Sequence, residues 1–274
     1  MALTNRLDTN AVAERSLRNS GIPWHDQLVL GHFSTIGYIK KFGSNPAVAN
    51  GATEDCWDGQ GTYNWMPAAQ AVQISSSDNG DTDTVVVEGL DASYNLQASE
   101  KALTGQTPVI LSGTFIRIHR IYTKNGGSVT GDVYVSGTGD ATTIGVPNVS
   151  TEIFGKMLAA NEQSEMAIFT VPAGYVGLVH NWVMSGWTTA TSRTFEGNFQ
   201  VRNFGASDFK TKILESTPFS TPQSISLKVP AKADIKAQCV NGAFANLKLI
   251  SMFDLELYPE GLVADTITDL TPLT

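Results

Sequence analysis

Hydrolytic or transfer chemistry needs a nucleophile beside a base, a pair of carboxylates, or a metal. The histidines are therefore weighed first. There are four, His25, His32, His119 and His180. No two have the HxH or HxxxH spacing that sets a pair of imidazoles on one element as ligands. His180, in "GLVHNWVMSG", lies inside an apolar strand-like run, where a hydrogen-bonded structural role is expected. His25, in "PWHDQ", has an acid beside it, but neighbouring side chains of an extended chain point to opposite sides. There is no GxSxG elbow, no P-loop and no dinucleotide fingerprint. "GSVTGDVYVSGTGD" is glycine-rich but lacks the strand-to-helix setting of a phosphate cradle. Asp78, Asp81 and Asp83, in "SDNGDTD", offer oxygens suited to calcium without the EF-hand spacing, and a solvated hairpin loop is the simpler expectation. Cys56 and Cys239 show no spacing for a disulfide framework or a zinc site, so both are expected to be reduced, with Cys239 on a buried strand face. Carboxylates paired in space, as for glycoside hydrolysis, leave no mark in a sequence. The expectation is a protein without catalytic residues, cofactor or metal.

The elements that would carry these residues are mostly strands. Charged residues make up 16% of the 274 positions and hydrophobic ones 42%, with Thr, Ser, Asn, Gln and Gly filling the difference. That mixture suits sheets with neutral polar faces and many turns. "NLKLISMFDLELY" is the clearest strand: Leu247, Leu249, Ser251, Phe253, Leu255 and Leu257 keep period two, with Lys248, Asp254 and Glu256 opposite. Phe195, Gly197, Phe199 and Val201 alternate likewise, as do Ile225, Leu227 and Val229, and then Ile235, Ala237 and Cys239. Residues 27–41 read as strand-like, broken by Gly31 and Gly37. Two windows read as helical: 7–19, capped by Asp8 or Thr9, and 151–163, capped by Thr151. The expected fold is all-β, with two β-sandwich, jelly-roll-like units, an extended N-terminal arm and two short helices. Its expected divisions are a helix and arm over 1–61, a first sandwich over 62–145, a helical linker over 146–164, a second sandwich over 165–260 and a tail over 261–274.

A net charge of −8 argues against nucleic acid as a partner, since phosphate contacts need clustered Lys and Arg. The densest basic stretch, "IRIHRIYTK" with Arg117, His119 and Lys124, reads as a solvated strand edge. "MALTNRLDTNAVAERSLRNSG" has no apolar signal core and no run approaches membrane-spanning length, so synthesis in a cytoplasm and no membrane are expected.

The stretch "KKFGSNPAVANGATEDCWDGQGTYNW", residues 40–65, fits no regular element. Its K-F-G-x-N-P segment, followed by E-D-x-W-D-G-x-G-T-Y, resembles virion structural proteins of tailed bacteriophages, especially those infecting marine bacteria. "VQISSSDNGDTDTVVVEGLDASYNLQ", "GQTPVILSGTFIRIHRIY" and "AIFTVPAGYVGLV" are similar to the same family, over roughly residues 38–180. The resemblance implies a non-enzymatic auxiliary capsid protein, a cement or decoration protein of the capsid surface, made in the host cytoplasm. It implies a homotrimer whose partner is the major capsid protein. On that reading Trp24, Phe42, Trp57, Tyr63 and Trp65 are aromatic interface anchors on a strap crossing a neighbouring subunit. The alternative for these rings is that they plug their own sandwich. A second functional reading is a tail, collar or fibre protein binding a host glycan at Trp182 and Trp187. A third, a particle-bound glycan hydrolase, has only unplaced acids behind it.

Overall fold

A computed structural model describes residues 21–188, 195–217, 223–242 and 247–262. The helix expected over 7–19 and most of the tail lie outside the described residues. The chain enters through a short helix, α1 (Trp24–Val29), a long strand β1 (Gly37–Val48) and a short β2 (Thr53–Asp55). The middle of the chain forms β3 (Val72–Ser76), β4 (Thr84–Leu90), β5 (Leu96–Ala102), β6 (Val109–Ile110) and β7 (Arg117–Thr123). It continues with β8 (Val133–Gly137), β9 (Thr142–Thr143), β10 (Val146–Pro147) and β11 (Ile153–Met157). The remainder forms β12 (Ile168–Thr170), β13 (Tyr175–Trp187), β14 (Phe195–Arg202), β15 (Lys210–Thr217), β16 (Gln223–Val229), β17 (Asp234–Asn241) and β18 (Leu247–Pro259). The fold is predominantly β, built from several small antiparallel sheets.

The period-two strand is β18, and its six alternating residues from Leu247 to Leu257 are all buried. It is central in the sheet β1-β18-β13-β16. A second sheet, β12-β17-β14-β15, has β2 also pairing with β17. Side chains from both sheets fill one hydrophobic core, including Trp182, Phe199, Ile235, Phe253 and Leu255. The middle of the chain makes a second core between the sheets β11-β8-β3-β6 and β5-β4-β7, around Ile74, Val87, Phe115, Ile121 and Met157. No described helix is long and apolar enough to cross a membrane.

Three local expectations are corrected. The N-terminal arm is not free: β1 pairs with β18 from Gly37↔Leu257 to Val48↔Leu247, so residues 37–56 complete the core of the C-terminal half. That pairing joins residues some two hundred positions apart, and no local pattern announces it. The helix expected over 151–163 is instead a 3-10 turn at Ser150–Glu152 followed by β11, which pairs with β8. Burial of Phe154 and Met157 in the second core, and of Gly155 against Ile118 and Ile121, outweighs a weak helical preference. The strand-like run 27–41 is helix α1 up to Val29 and becomes strand only at Gly37. Leu28 and Phe33 are the apolar residues that this segment buries.

Leu255→Ala is expected to lower the unfolding free energy by ~2–5 kcal/mol, the cost of a cavity in a closed core. Ile250→Ala, on the same strand but exposed, is expected to stay within ~0.5 kcal/mol. Urea unfolding followed by circular dichroism measures both. Equal effects would contradict the facing of β18.

Candidate functional site

The residues that carry the family resemblance form a loop tied by hydrogen bonds within itself and to β17. Asn45 donates from Nδ2 to Glu54 Oε2 (2.9 Å) and to the Asp55 carbonyl (3.1 Å), and its Oδ1 accepts from Ala47 N–H. Glu54 accepts from the backbone N–H of Ala49 (2.8 Å) and Gly61 (2.8 Å). Asp55 accepts from Tyr63 N–H, from Lys236 Nζ (2.8 Å) and from Gln238 Nε2. Two glycines are dictated by close approach. A side chain on Gly43 would strike Ala167 N and the Cys56 carbonyl, and one on Gly59 would strike the Trp57 ring. The acids of "EDCWDG" thus hold the turn together.

Trp57 and Tyr63 are internal, which corrects the strap reading for these two, while Trp24, Phe42 and Trp65 are half-buried. Trp57 and Tyr63 are buried, edge to face at 5.1 Å, and Tyr63 contacts Trp65 in the same manner at 5.0 Å. Tyr63 Oη donates to the Phe154 carbonyl, reaching into the second core (2.9 Å). Trp24 donates from Nε1 to Glu256 Oε1 and stacks on Phe33. Phe42 is half-buried. A ring already buried within its own chain has little area left to give a partner.

The aromatic column ends at the junction of the two cores. Arg117 of β7 donates from Nε and Nη2 to the two oxygens of Asp234 on β17, at 2.8 and 3.0 Å. Arg202 of β14 donates to Asp234 Oδ2 (2.6 Å from Nη2), and Thr170 Oγ1 of β12 donates to Oδ1 (2.6 Å). The Trp65 ring lies 5.2 Å from both guanidinium carbons, and Phe209 lies 4.6 Å from that of Arg202. Two residues further along β7, burial holds His119 well below the usual imidazole range, with the charges of Lys41 and Arg117 adding to the effect. Neutral His119 accepts from Thr170 N–H at Nε2 (3.1 Å) and stacks on Phe169. The stretch expected to be a solvated edge is therefore the joint between the cores, apart from the exposed Arg120 and Lys124, the latter pairing with Glu100 at the surface.

Beside this joint a cleft of about 670 Å³ opens between the cores. Its walls are Tyr38–Phe42 of β1, Glu88 and Gly89 of β4, Leu96–Ala98 of β5, and His119 and Arg120 of β7. Lys41 is buried at its base and donates from Nζ to the His119 carbonyl (2.5 Å). Burial brings its ammonium down to about 7, the charge of Arg120 acting in the same direction and that of Glu88 opposing it. Arg120 donates to Gln163 Oε1 and lies over the Tyr122 ring.

No family model matches the chain, and no curated protein matches it. Among solved structures it is distantly similar to the VP2 subviral particle of infectious bursal disease virus. Identity is 10%, with 88% of this chain and 78% of that one covered and a TM-score of 0.20. A structure of the Gx strain of the same virus covers 83% and 73% at 10% identity and a TM-score of 0.19. The T13 particle of that virus covers 81% and 73% at 9% identity and a TM-score of 0.16. Scores this low do not establish a shared fold.

The remaining sequence candidates separate. Trp182 is buried and donates from Nε1 to Ser251 Oγ (3.0 Å), whereas Trp187 is exposed. Five residues apart on β13, the two rings leave opposite faces of the sheet and cannot stack on one sugar. Asp81 accepts from Ser76 Oγ and from the N–H groups of Thr130 and Gly131, and Asp78 accepts from Gly80 N–H. Among the described residues no three His, Cys, Asp or Glu side chains converge as metal ligands. Cys56 and Cys239 are free and buried, and burial pushes the Cys239 thiol up to about 12. Asp234, Arg202 and Lys41 went unsingled in the sequence. The one available signal was polar alternation in "ADIKAQ", where Asp234, Lys236 and Gln238 form the face opposite the apolar one.

Two measurements test this arrangement. Trp57→Ala is expected to cost ~3–5 kcal/mol of folding stability, as a buried aromatic does, while Trp187→Ala changes little. Asp58 gives a pH signature. Its Oδ2 accepts from Glu165 N–H, its Oδ1 is buried without a partner, and burial raises the carboxyl from 3.8 to about 7. Between those values the folded chain holds a proton that the unfolded chain has released. Stability contributed by this group is therefore present at low pH and falls as pH rises, by up to ~1.4 kcal/mol per unit. Asp58→Asn is expected to remove that slope from unfolding curves taken between pH 4 and 7.5.

Proposed function

We propose that the protein is a non-enzymatic structural component of a tailed-phage particle, an auxiliary capsid protein that stabilises the shell by bridging neighbouring subunits. The observation that carries this reading is the "KFGSNP…EDCWDGQGTY" resemblance, together with the finding that its acids and glycines build a rigid turn. Such residues are tied by architecture, so the resemblance bears on the fold's frame and on the role that frame serves. Two β-rich cores joined by a buried ion pair suit a part that transmits load without moving.

In this role the protein occupies the virion surface as a homotrimer, since a closed trimer matches a local threefold position, and its partner is the major capsid protein. With Trp57 and Tyr63 internal, further contact surface is needed. The β9–β10 hairpin exposes Ile144 and Val146, with Val149 exposed just beyond it, and Ile144 is held at a positive φ of 52°. A β-branched residue is strained there, and an exposed apolar tip held at such a cost is a natural contact point.

Quantitative mass spectrometry of purified particles decides the reading. About one copy per shell subunit, or one trimer per threefold position, is expected. A few copies per particle would move the protein to the tail or collar, and absence from particles would refute the virion role.

A further inference from the structure

The cleft between the cores borders an unusual part of β1. Tyr38, Ile39, Lys40, Lys41 and Phe42 all line it. Side chains alternate between faces along a strand, so a space bordered by five in succession lies along the strand's edge. β1 is the outermost strand of its sheet. Further along, that edge is occupied: Ser44 N–H donates to the Glu165 carbonyl (3.4 Å) and Gly43 lies against Ala167 and Cys56. Along Lys40–Phe42, no backbone group outside β18 bonds the main chain among the described residues. An edge left open inside a cleft is a template for one more strand.

The charges around that edge are one-sided. Lys40, Lys41 and Arg120 line the cleft against one acid, Glu88, in a chain whose net charge is −8. Lys41 has three N–H donors, and the His119 carbonyl takes one of them. We propose that the cleft receives an extended acidic segment of another protein chain, added to β1 as a further strand, with a carboxylate set against Lys41 and Arg120. Lysines on a sheet edge also deter stray pairing. That deterrence is electrostatic and therefore selective: it disfavours basic and neutral strands and favours a carboxylate.

The same geometry fixes the pH dependence. The groups facing Lys41 are Arg120 and the neutral His119 on β7, and Glu88 on β4, while Lys40 leaves the opposite side of its own strand. Its ammonium is lost as pH rises through about 7, so an acidic strand binds more tightly below that value. The inference does not depend on the virion role, because binding by the isolated protein is measurable whatever particle it belongs to.

Fluorescence anisotropy of the full-length protein with labelled acetyl-TVDVT-amide tests the proposal, with acetyl-TVNVT-amide as the control. Saturable binding of the aspartyl peptide at pH 6 is expected, at least about tenfold tighter than the asparaginyl one and weaker at pH 8.5. Lys41→Met is expected to reduce it about tenfold with an unchanged circular dichroism spectrum. Should Lys41→Met not fold, the more exposed Arg120→Gln carries the test and is expected to weaken binding several-fold. Absence of saturable binding, equal affinity for both peptides, or native affinity in the folded variants would overturn the proposal. Displacement by acetyl-aspartate amide at the same concentration as the peptide would also overturn it, leaving an anion pocket without strand addition.

Discussion

The carboxylate of Asp234 holds the two cores in one relation. It is buried and accepts from Arg117, Arg202 and Thr170, which come from three different strands, and Arg117 alone belongs to the core in the middle of the chain. An ion pair this far from water gains little net stability, because desolvation offsets most of the attraction. Its importance lies in the asymmetry of loss. Drawing the cores apart leaves the Arg117 guanidinium buried without its carboxylate, at a cost of ~3–5 kcal/mol, so slippage of one core against the other is strongly opposed. Two guanidinium groups for one carboxylate leave a positive excess at the joint. The faces of Trp65 and Phe209 accept part of it through their ring quadrupoles.

From that joint the neighbouring features follow along β7. Arg117 and His119 leave the strand on the same side, two residues apart, and both point into the joint. One binds Asp234, and the other accepts from Thr170 N–H while its carbonyl receives Lys41. Burial keeps His119 neutral, which is the condition for its nitrogen to act as an acceptor. Lys41 in turn fixes the floor of the cleft. The open edge of β1 is thus set by the same strand that locks the cores, and a shift at Asp234 would carry the cleft wall with it.

The parts of the fold legible in the sequence were those with short-range periodicity. Period two in residues 247–257, and in Ile235, Ala237 and Cys239, identified buried strand faces because alternation is a local property. What escaped depended on distant partners. Nothing near Gly37 announces that it pairs with Leu257, so an edge strand of a sheet read as a loose arm. Trp57 and Tyr63 had the composition of interface anchors, but aromatic residues serve cores and interfaces by the same area burial, and only the neighbours distinguish the two. Arg117 read as a solvated edge because its carboxylate partner lies 117 positions away. The site was the least legible part, since both the joint and the cleft are assembled from elements remote in the chain.

The low charge content acquires a meaning from these positions. A chain with 16% charged residues would be expected to keep nearly all of them at the surface, where hydration is free of cost. Here Lys41, Glu54, Asp55, Asp58, Arg117, Asp234, Lys236 and Glu256 are all buried. Glu54 and Asp55 tie a turn, Lys236 ties β17 to that turn, and Arg117 ties the cores. Apolar contacts would give comparable stability but would tolerate sliding, because dispersion has little directional preference. Directed hydrogen bonds to buried charges do not. A protein whose turns and joints are built in this manner gains resistance to deformation where a larger hydrophobic core would add only resistance to unfolding.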